Sequence, residues 1–320
     1  MTAEPRLRLR FAEAWSAYLA DPLDVADPGS ASDVSHVTSL LELAEHYDAM
    51  LLDGFGVLNC GDMAVPGMVE VFAELQRRGV RLLILSNGST GQTRDAVAKY
   101  SAFGYPVDAD DVITSRDAAR GGLARHHDAY PDWHWAVSPM GGRALDDLPG
   151  RFSEIRSDGC DPTTDGFLLV TAVAWTDAHT DAMRAALTER VRPIWVANPD
   201  VTAPFPSHFS LEPGYVARSL GRAFGAPVRW FGKPHRAVYE LAIARLKRDQ
   251  PSLARERILM VGDSPHTDVL GARRAGIDSC MTVDFGLLRG ENLRERLTEA
   301  GVWPTYVLSS QPWERSDGTG

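Results

Sequence analysis

Residues 47–90, YDAMLLDGFGVLNCGDMAVPGMVEVFAELQRRGVRLLILSNGST, contain the pattern that decides the fold. Two apolar runs in this stretch end in polar residues, because Asp53 follows the first run and Ser86 follows the second. Between them, residues 66–78 have a helical pattern with a proline in the first turn, and Gly79 follows as a helix stop. A strand, a helix and a second strand in this order predict one unit of a parallel sheet.

The same alternation continues along the rest of the chain. Apolar runs predict strands at 49–52, 80–85, 166–172, 194–197, 228–231 and 258–261. Helical patterns lie at 66–78, 90–103, 116–127, 178–191, 213–224, 235–248 and 267–275. Near-continuous apolar strands are expected where both faces of a sheet are covered. The sequence therefore predicts an α/β fold built on a doubly wound parallel sheet.

Composition narrows the class of protein. The 320 residues are 44% hydrophobic and 24% charged, which is typical of a globular protein with a substantial core. The net charge of −10 and the lack of a long basic run argue against nucleic-acid binding. Three cysteines without CxxC spacing argue against a zinc site or disulfide framework, and they fit a reducing, cytoplasmic compartment. We expect no signal peptide and no membrane association, because no apolar run has the necessary length.

Polar side chains follow four of the predicted strands. Besides Asp53 and Ser86, these are Lys233 in WFGKPH, and Asp263 with Asp268 in GDSPHTD. One aspartate at a strand end is commonly a turn former. Four such ends in one chain are more specific, because ligands bind outside the carboxyl ends of the strands in an open parallel sheet.

In their order and spacing these segments resemble the haloacid dehalogenase-like (HAD) superfamily over about residues 44–310. The resemblance is greatest to class IIA, the group related to the N-acetylglucosamine-phosphate and 4-nitrophenyl phosphatases. It rests on the opening stretch quoted above, on VANPD at 196–200 with LEPG from 211, and on GKP at 232–234 with GDSPHTDVLGA at 262–272. It implies a HAD-like Rossmannoid core with an inserted, smaller α/β cap domain.

The resemblance also implies a division of the chain. Residues 1–43 would form an N-terminal helix and linker, residues 44–128 and 228–320 the catalytic core, and residues 129–227 the cap. A homodimer is compatible with class IIA membership.

For the site, the resemblance implies phosphoryl transfer. Asp53 would be the nucleophile that forms an aspartyl-phosphate. Ser86, helped by Asn87 and Gly88, would bind the phosphoryl oxygens. Lys233 would pair with both the nucleophile and the phosphoryl group, and so reduce their mutual repulsion.

A Mg²⁺ cofactor is implied in the same way. Asp53, the backbone carbonyl of Phe55 and Asp263 would bind the ion, and Asp268 would support them from behind or through a water. A set of hard oxygen ligands suits Mg²⁺ better than zinc.

Phe55 departs from the pattern of the family's phosphatases. They carry a second aspartate at this position, which protonates the leaving group and then activates water, a contribution worth about 10²–10⁴ in rate. Phe55 can do neither. Turnover could be slow, the leaving group could need no proton, or another residue such as His235 or His266 could substitute.

Phe55 also suggests a rival reaction, because haloacid dehalogenases of the superfamily carry an aromatic residue here and need no metal. The retained pair Asp263 and Asp268 favours phosphoryl chemistry, since a metal-free enzyme has no use for it. A third alternative is a catalytically weak binding or regulatory protein on the same fold.

The substrate class is implied only in outline, as a small phosphorylated metabolite. Asn198, Pro199 and Asp200 would lie in a cap loop near the substrate, with a structural turn as the alternative interpretation.

Overall fold

The computed structural model describes residues 7–310; the two ends of the chain, which belong to the predicted N-terminal segment and core, lie outside the described residues. The larger sheet has seven strands, all parallel. In spatial order they are Ser35–Val37, Tyr306–Leu308, Asp278–Thr282, Ile258–Gly262, Ala49–Leu52, Arg81–Ser86 and Val112–Thr114. The predicted parallel α/β fold is therefore confirmed.

The position of the strand Ala49–Leu52 explains why the predicted site residues meet. Ala49–Leu52 pairs with Arg81–Ser86 on one side and with Ile258–Gly262 on the other. The chain therefore builds the sheet outward from this strand in both directions, which is a topological switch point. Asp53 follows Ala49–Leu52, and the carboxyl ends of both neighbouring strands lie beside it.

Two apolar cores cover the faces of this sheet. Leu51 lies in one core together with residues of the helices Ser115–Ala129 and Arg236–Asp249. Its neighbour Leu52 lies in the other core, with residues of the helix Met68–Arg77. Successive residues of a strand point to opposite faces, so helices on both faces make the sheet doubly wound, as predicted.

The described chain contains helices of three kinds. The α-helices are Phe11–Leu19, Met68–Arg77, Thr93–Ala102, Ser115–Ala129, Asp177–Glu189, Pro213–Phe224, Arg236–Asp249, Leu270–Ala275 and Leu293–Ala300. Single 3₁₀ turns lie at Ala31–Asp33, Leu40–Leu43, Ala109–Asp111 and Arg255–Arg257, and a π-helical turn lies at Pro265–Val269. No helix within residues 7–310 is both long and apolar enough to cross a membrane.

A second sheet lies in the inserted part of the chain. Its five parallel strands are, in spatial order, Val228–Trp230, Ile194–Val196, Gly166–Leu169, His134–Val137 and Arg151–Glu154. Residues of the helices Asp177–Glu189 and Pro213–Phe224 share an apolar core with it. The sequence analysis placed Val228–Trp230 in the catalytic core, but this strand pairs with Ile194–Val196. We therefore propose that the cap extends to Trp230.

The N-terminal segment is more than a helix and a linker. Its strand Arg8–Leu9 pairs antiparallel with Phe209–Ser210 of the cap. Trp15 donates a 2.7 Å hydrogen bond from Nε1 to Glu299 of the core. Further on, Ser35–Val37 forms the edge strand of the larger sheet. The N-terminal segment is thus packed against both the inserted part of the chain and the larger sheet.

Candidate active site

A cavity of about 340 Å³ lies at the carboxyl ends of the central strands. From the core, Asp53, Ser86 and Asp263 line it, and from the cap, Asn198 and Asp200. Residues that are far apart in the sequence therefore meet here, as the strand-end pattern predicted.

Lys233 joins two of the carboxylates beneath this cavity. Its Nζ lies 2.6 Å from Asp53 Oδ1 and 2.7 Å from Asp268 Oδ1, and the side chain is 1% exposed. Burial alone would lower the pKa of Lys233, but the carboxylates of Asp268 and Asp53 outweigh it and raise the pKa well above the ordinary value. The lysine is therefore a fixed cation that orients Asp53.

Replacing Lys233 with methionine is expected to lower the free energy of unfolding by about 3–5 kcal/mol, because the buried Asp268 and the mostly buried Asp53 would lose the ammonium group that contacts both. Chemical denaturation measures this loss. The matched control is Lys247→Met, since Lys247 is exposed on the helix Arg236–Asp249 and should change stability little. Adding Asp268→Asn to Lys233→Met should restore part of the loss; no restoration would contradict the electrostatic explanation.

Asp263 and Asp268 are held by backbone groups. Asp263 Oδ2 accepts a 2.8 Å hydrogen bond from the N–H of Leu287. Asp268 Oδ2 accepts hydrogen bonds from the N–H groups of Asp263, at 3.2 Å, and Ser264, at 3.1 Å. Gly56, with φ of +75°, approaches so closely that a Cβ there would lie 2.6 Å from Asp263 Oδ2. Only glycine fits at that position, so the loop after the nucleophile and Asp263 form one packed unit.

The donor set fits a divalent cation. Oxygens of Asp53, Asp263 and Asp268 lie within 4.8 Å of one another. Burial, followed by the charges of Asp53 and Asp268, raises the pKa of Asp263 well above its ordinary value. Lys233 and backbone groups already use both oxygens of Asp268, whereas Asp263 Oδ1 has no hydrogen bond to any described residue. The arrangement leaves Asp53 and Asp263 to bind an ion and Asp268 to support them.

Ser86 and Asn87, at the carboxyl end of the strand Arg81–Ser86, have different surroundings. Ser86 lines the cavity, and its Oγ accepts a 3.1 Å hydrogen bond from the N–H of Gly88, which also lines the cavity. The side chain of Asn87 is occupied elsewhere. Its Oδ1 accepts from the N–H of Lys233 at 2.7 Å, and its Nδ2 donates to Asp200 at 2.7 Å and to the carbonyl of Lys233 at 3.1 Å. We therefore interpret Asn87 as a residue that positions Lys233 rather than as a direct ligand of the substrate.

The cap loop reaches the site, although its three predicted residues are not equivalent. Asp200 lies in the cavity wall, and burial raises its pKa to about 8. Asn198 also lines the cavity, where its Nδ2 donates to Glu212 at 3.2 Å and its Oδ1 accepts from the N–H of Asp200 at 2.9 Å. Pro199 is absent from the cavity wall; its carbonyl accepts a 2.6 Å hydrogen bond from Arg218. The predicted contact of Pro199 with substrate stays a prediction, and the position of Pro199 outside the cavity wall does not support it.

Lys99 is a cavity residue that the sequence did not reveal. Its Nζ lies 4.6 Å from the centroid of the Phe55 ring and donates a 3.0 Å hydrogen bond to Asn59 Oδ1. Burial lowers the pKa of Lys99 to about 8, and the carboxylates of Asp53 and Asp62 oppose that shift. The ammonium group is therefore mostly charged at pH 7. Within the helix Thr93–Ala102 no motif singled it out, because a lysine on a helix is most often a solvated surface residue.

Two tyrosines were also missed. Tyr100 is buried, and its hydroxyl packs against Gly54, immediately after Asp53. Tyr18, from the N-terminal helix, lines the cavity, and its oxygen accepts a 3.2 Å hydrogen bond from the N–H of Val201. The helix predicted near the N-terminus thus supplies part of the wall of the site.

Neither histidine considered as a substitute acid lines the cavity. His266 is buried, with ring centroids 4.8 Å from Tyr18 and 4.9 Å from Trp15, and burial lowers its pKa to about 3. His235 stacks on Trp230 at 5.6 Å, and burial likewise lowers its pKa to about 3. These contacts give both rings structural surroundings.

Two family models match the chain at its two core segments. A model described as "Haloacid dehalogenase-like hydrolase" matches residues 50–144, and a model described as HAD-hydrolase-like matches residues 230–311. Together the matches include Asp53, Ser86 and Lys233.

Phosphatases are among the proteins similar to this chain in sequence and in fold. The D-glycerol 3-phosphate phosphatase of Mycobacterium tuberculosis is 27% identical over 249 residues, which make up 75% of this chain and 64% of that enzyme, just under two thirds of its length. The structure of a p-nitrophenyl phosphatase from Archaeoglobus fulgidus shares the fold with a TM-score of 0.64 at 19% identity, over 82% of this chain and 96% of that one. A glycerol phosphate phosphatase from M. tuberculosis in complex with magnesium gives a TM-score of 0.59 at 22% identity, over 78% and 71% of the two chains.

Proposed function

Because the chain belongs to the haloacid dehalogenase-like hydrolases, we propose that it is a Mg²⁺-dependent phosphatase that acts on a small phosphorylated metabolite. One observation carries this proposal: Lys233 clamps Asp53 and Asp268 beside a third carboxylate, Asp263, at the end of adjacent strands. A nucleophile, a fixed cation and a cluster of carboxylates are the parts that phosphoryl transfer needs. The activities of the similar phosphatases support the same class of substrate.

The residues would divide the reaction as follows. Asp53 attacks phosphorus, the bond to the leaving oxygen breaks, and the phosphoryl group stays on the Asp53 carboxylate. The hydroxyl of Ser86, which the N–H of Gly88 orients, donates to an oxygen of the phosphoryl group at the cavity wall. Water then attacks phosphorus, releases inorganic phosphate and frees Asp53. Throughout, Lys233 keeps the nucleophile oriented and offsets negative charge.

A bound Mg²⁺ ion would supply charge neutralisation for the phosphoryl group. Asp53, the backbone carbonyl of Phe55 and Asp263 would hold it, with Asp268 supporting them through Lys233 and the backbone. The magnesium complex of the structurally similar glycerol phosphate phosphatase supports this choice of ion.

Phe55 predicts a dependence on the leaving group. The wild-type protein should hydrolyse 4-nitrophenyl phosphate faster than an alkyl phosphate, because nitrophenolate leaves without a proton and Phe55 cannot provide one. Phe55→Asp should raise kcat/KM for the alkyl ester toward the gain of about 10² that general acid catalysis typically gives. Steady-state kinetics on both esters test this, with Phe55→Leu as the control that removes the ring without adding an acid. An alkyl rate that Phe55→Asp leaves unchanged would contradict this explanation.

The activity itself is tested by a screen of phosphorylated metabolites, sugar and polyol phosphates included, with Mg²⁺ present. Release of inorganic phosphate from members of this panel is the expected result. No phosphate release from any member of the panel would favour the alternative of a catalytically weak binding or regulatory protein. A cytoplasmic location and a homodimer remain predictions beside this proposal.

A further inference from the structure

Lys99 is a cation in the cavity wall that lies against the ring of Phe55, two residues after the nucleophile. Lys99 reaches this place from the helix Thr93–Ala102 and is fixed there by Asn59. Asn59 is itself fully buried, and its Nδ2 donates a 2.8 Å hydrogen bond to the carbonyl of Gly61. The ammonium group therefore has a defined position and not the freedom of a surface lysine.

The surroundings of Lys99 are unusual for a structural lysine. Its Nζ lies near three aromatic rings, 4.6 Å from the centroid of Phe55, 5.0 Å from Tyr100 and 5.9 Å from Phe103. It forms no salt bridge with any residue of the described range, in contrast to Lys233. A partly buried cation that no carboxylate contacts directly is costly, although Asp53 and Asp62 offset part of that cost from a distance, and a methionine would fill the same space without it. An anionic group of a ligand would complete the environment.

The position of Lys99 identifies which oxygen it would meet. Asp53 and Lys99 line one cavity, and Lys233 already lies against Asp53 from the side of Asp268. Phe55 occupies the position at which the family's phosphatases act on the leaving group, and Lys99 lies on the Phe55 ring. A donor at this place in the cavity wall would meet the leaving oxygen, which gains negative charge as its bond to phosphorus breaks.

On these grounds we infer that Lys99 is a catalytic residue, which donates a hydrogen bond to the leaving oxygen of the substrate and stabilises the charge that develops there. This inference rests on the proposed function. It needs no transfer of a proton from the lysine: the P–O bond breaks toward the leaving oxygen, and the alcohol takes its proton from water. Lys99 would then reduce, without removing, the disadvantage of alkyl esters that Phe55 creates.

The test compares two substitutions on two esters. Lys99→Met keeps the length of the side chain and removes the charge, and Lys99→Arg keeps the charge. With Lys99→Met, kcat/KM for glycerol 3-phosphate should fall about 10²-fold and that for 4-nitrophenyl phosphate less than about tenfold, while Lys99→Arg should recover part of the alkyl rate. Arg143→Met is the matched control, because Arg143 is an exposed cation that lines the same cavity; it should affect both esters alike and little.

Equal losses on the two esters, or no loss on the alkyl ester, would overturn the inference. Thermal unfolding of each variant shows whether the fold survives, and Lys99→Arg carries the comparison if Lys99→Met does not fold. Orthovanadate binding in the presence of Mg²⁺, measured by calorimetry, needs no turnover. If the wild type hydrolyses neither ester, the proposed function fails, and vanadate affinity alone tests the role of Lys99. Binding of vanadate to Lys99→Met that is at least tenfold weaker than to the wild type supports a contact between Lys99 and the ligand. Equal binding overturns the inference.

Discussion

Asp53→Asn is expected to lower phosphate release by at least about 10⁴-fold, because an amide cannot attack phosphorus in place of the carboxylate. The fold should survive, since Lys233 keeps its 2.7 Å contact with Asp268. The substitution also removes one negative charge from a buried cluster in which burial raises the pKa of Asp53 itself to about 6. Steady-state rates, together with a thermal unfolding curve, measure both expectations.

The matched control for Asp53→Asn is Asp62→Asn. Asp62 is an exposed carboxylate that lines the same cavity, so its substitution changes the charge of the cavity without touching the clamp of Lys233. We expect Asp62→Asn to retain most of the activity. Substantial hydrolysis by a clean preparation of Asp53→Asn would remove Asp53 from the role of nucleophile.

Asp263→Asn is expected to weaken Mg²⁺ binding by at least about 10²-fold, and chelation of the ion should abolish the activity of the wild type. Asp263 Oδ1 accepts no hydrogen bond from a described residue, and burial and neighbouring carboxylates disfavour the charge of Asp263. A divalent ion offsets that charge, so the loss of one ligand should mainly lower the affinity of the protein for Mg²⁺. Calorimetric titration with Mg²⁺ measures it.

Asp268→Asn should weaken Mg²⁺ binding less than Asp263→Asn, because Asp268 acts through Lys233 and the backbone N–H groups of Asp263 and Ser264. Asp62→Asn again serves as the control and should leave Mg²⁺ affinity unchanged. An Asp263→Asn variant that binds Mg²⁺ as tightly as the wild type would place the ion elsewhere.

The core of the site could be predicted because parallel strands bring their carboxyl ends to one edge. Asp53, Ser86 and Asp263 each follow a buried apolar strand, and the apolar runs are readable without any structure. Asp268 follows a short turn after the buried strand Ile258–Gly262, whereas Lys233 follows Val228–Trp230, a strand of the second sheet. The resemblance implied that Lys233 pairs with the nucleophile, but the 2.7 Å contact between Lys233 and Asp268 could be seen only in the structure.

Residues contributed by helices and edge strands could not be predicted in the same way. Lys99 and Tyr18 lie on helices whose patterns indicate only amphipathic packing, so nothing in their spacing points to a cavity. Arg151–Glu154 is an edge strand with exposed ends and no apolar run. Asp278–Thr282 is buried but carries Ser279 and Thr282, so its apolar signal is interrupted. In both strands, pairing with a neighbour outweighs the weak local pattern.

The boundary of the cap illustrates the same limit. Val228–Trp230 precedes GKP directly, so its closeness to a core motif suggested a core strand. In the structure it pairs with Ile194–Val196 through Val228 opposite Ile194. Which of two sheets a short strand joins depends on its partner, and three residues carry no information about that partner.

The most direct measurement of the central claim is the release of inorganic phosphate from 4-nitrophenyl phosphate and of chloride from 2-chloropropionate by one preparation, each with Mg²⁺ and with a chelator. We expect phosphate release with Mg²⁺, none with the chelator, and no chloride in either condition. Chloride release that the chelator leaves unchanged, without phosphate release, would contradict it and would assign the protein to metal-independent dehalogenation through Asp53.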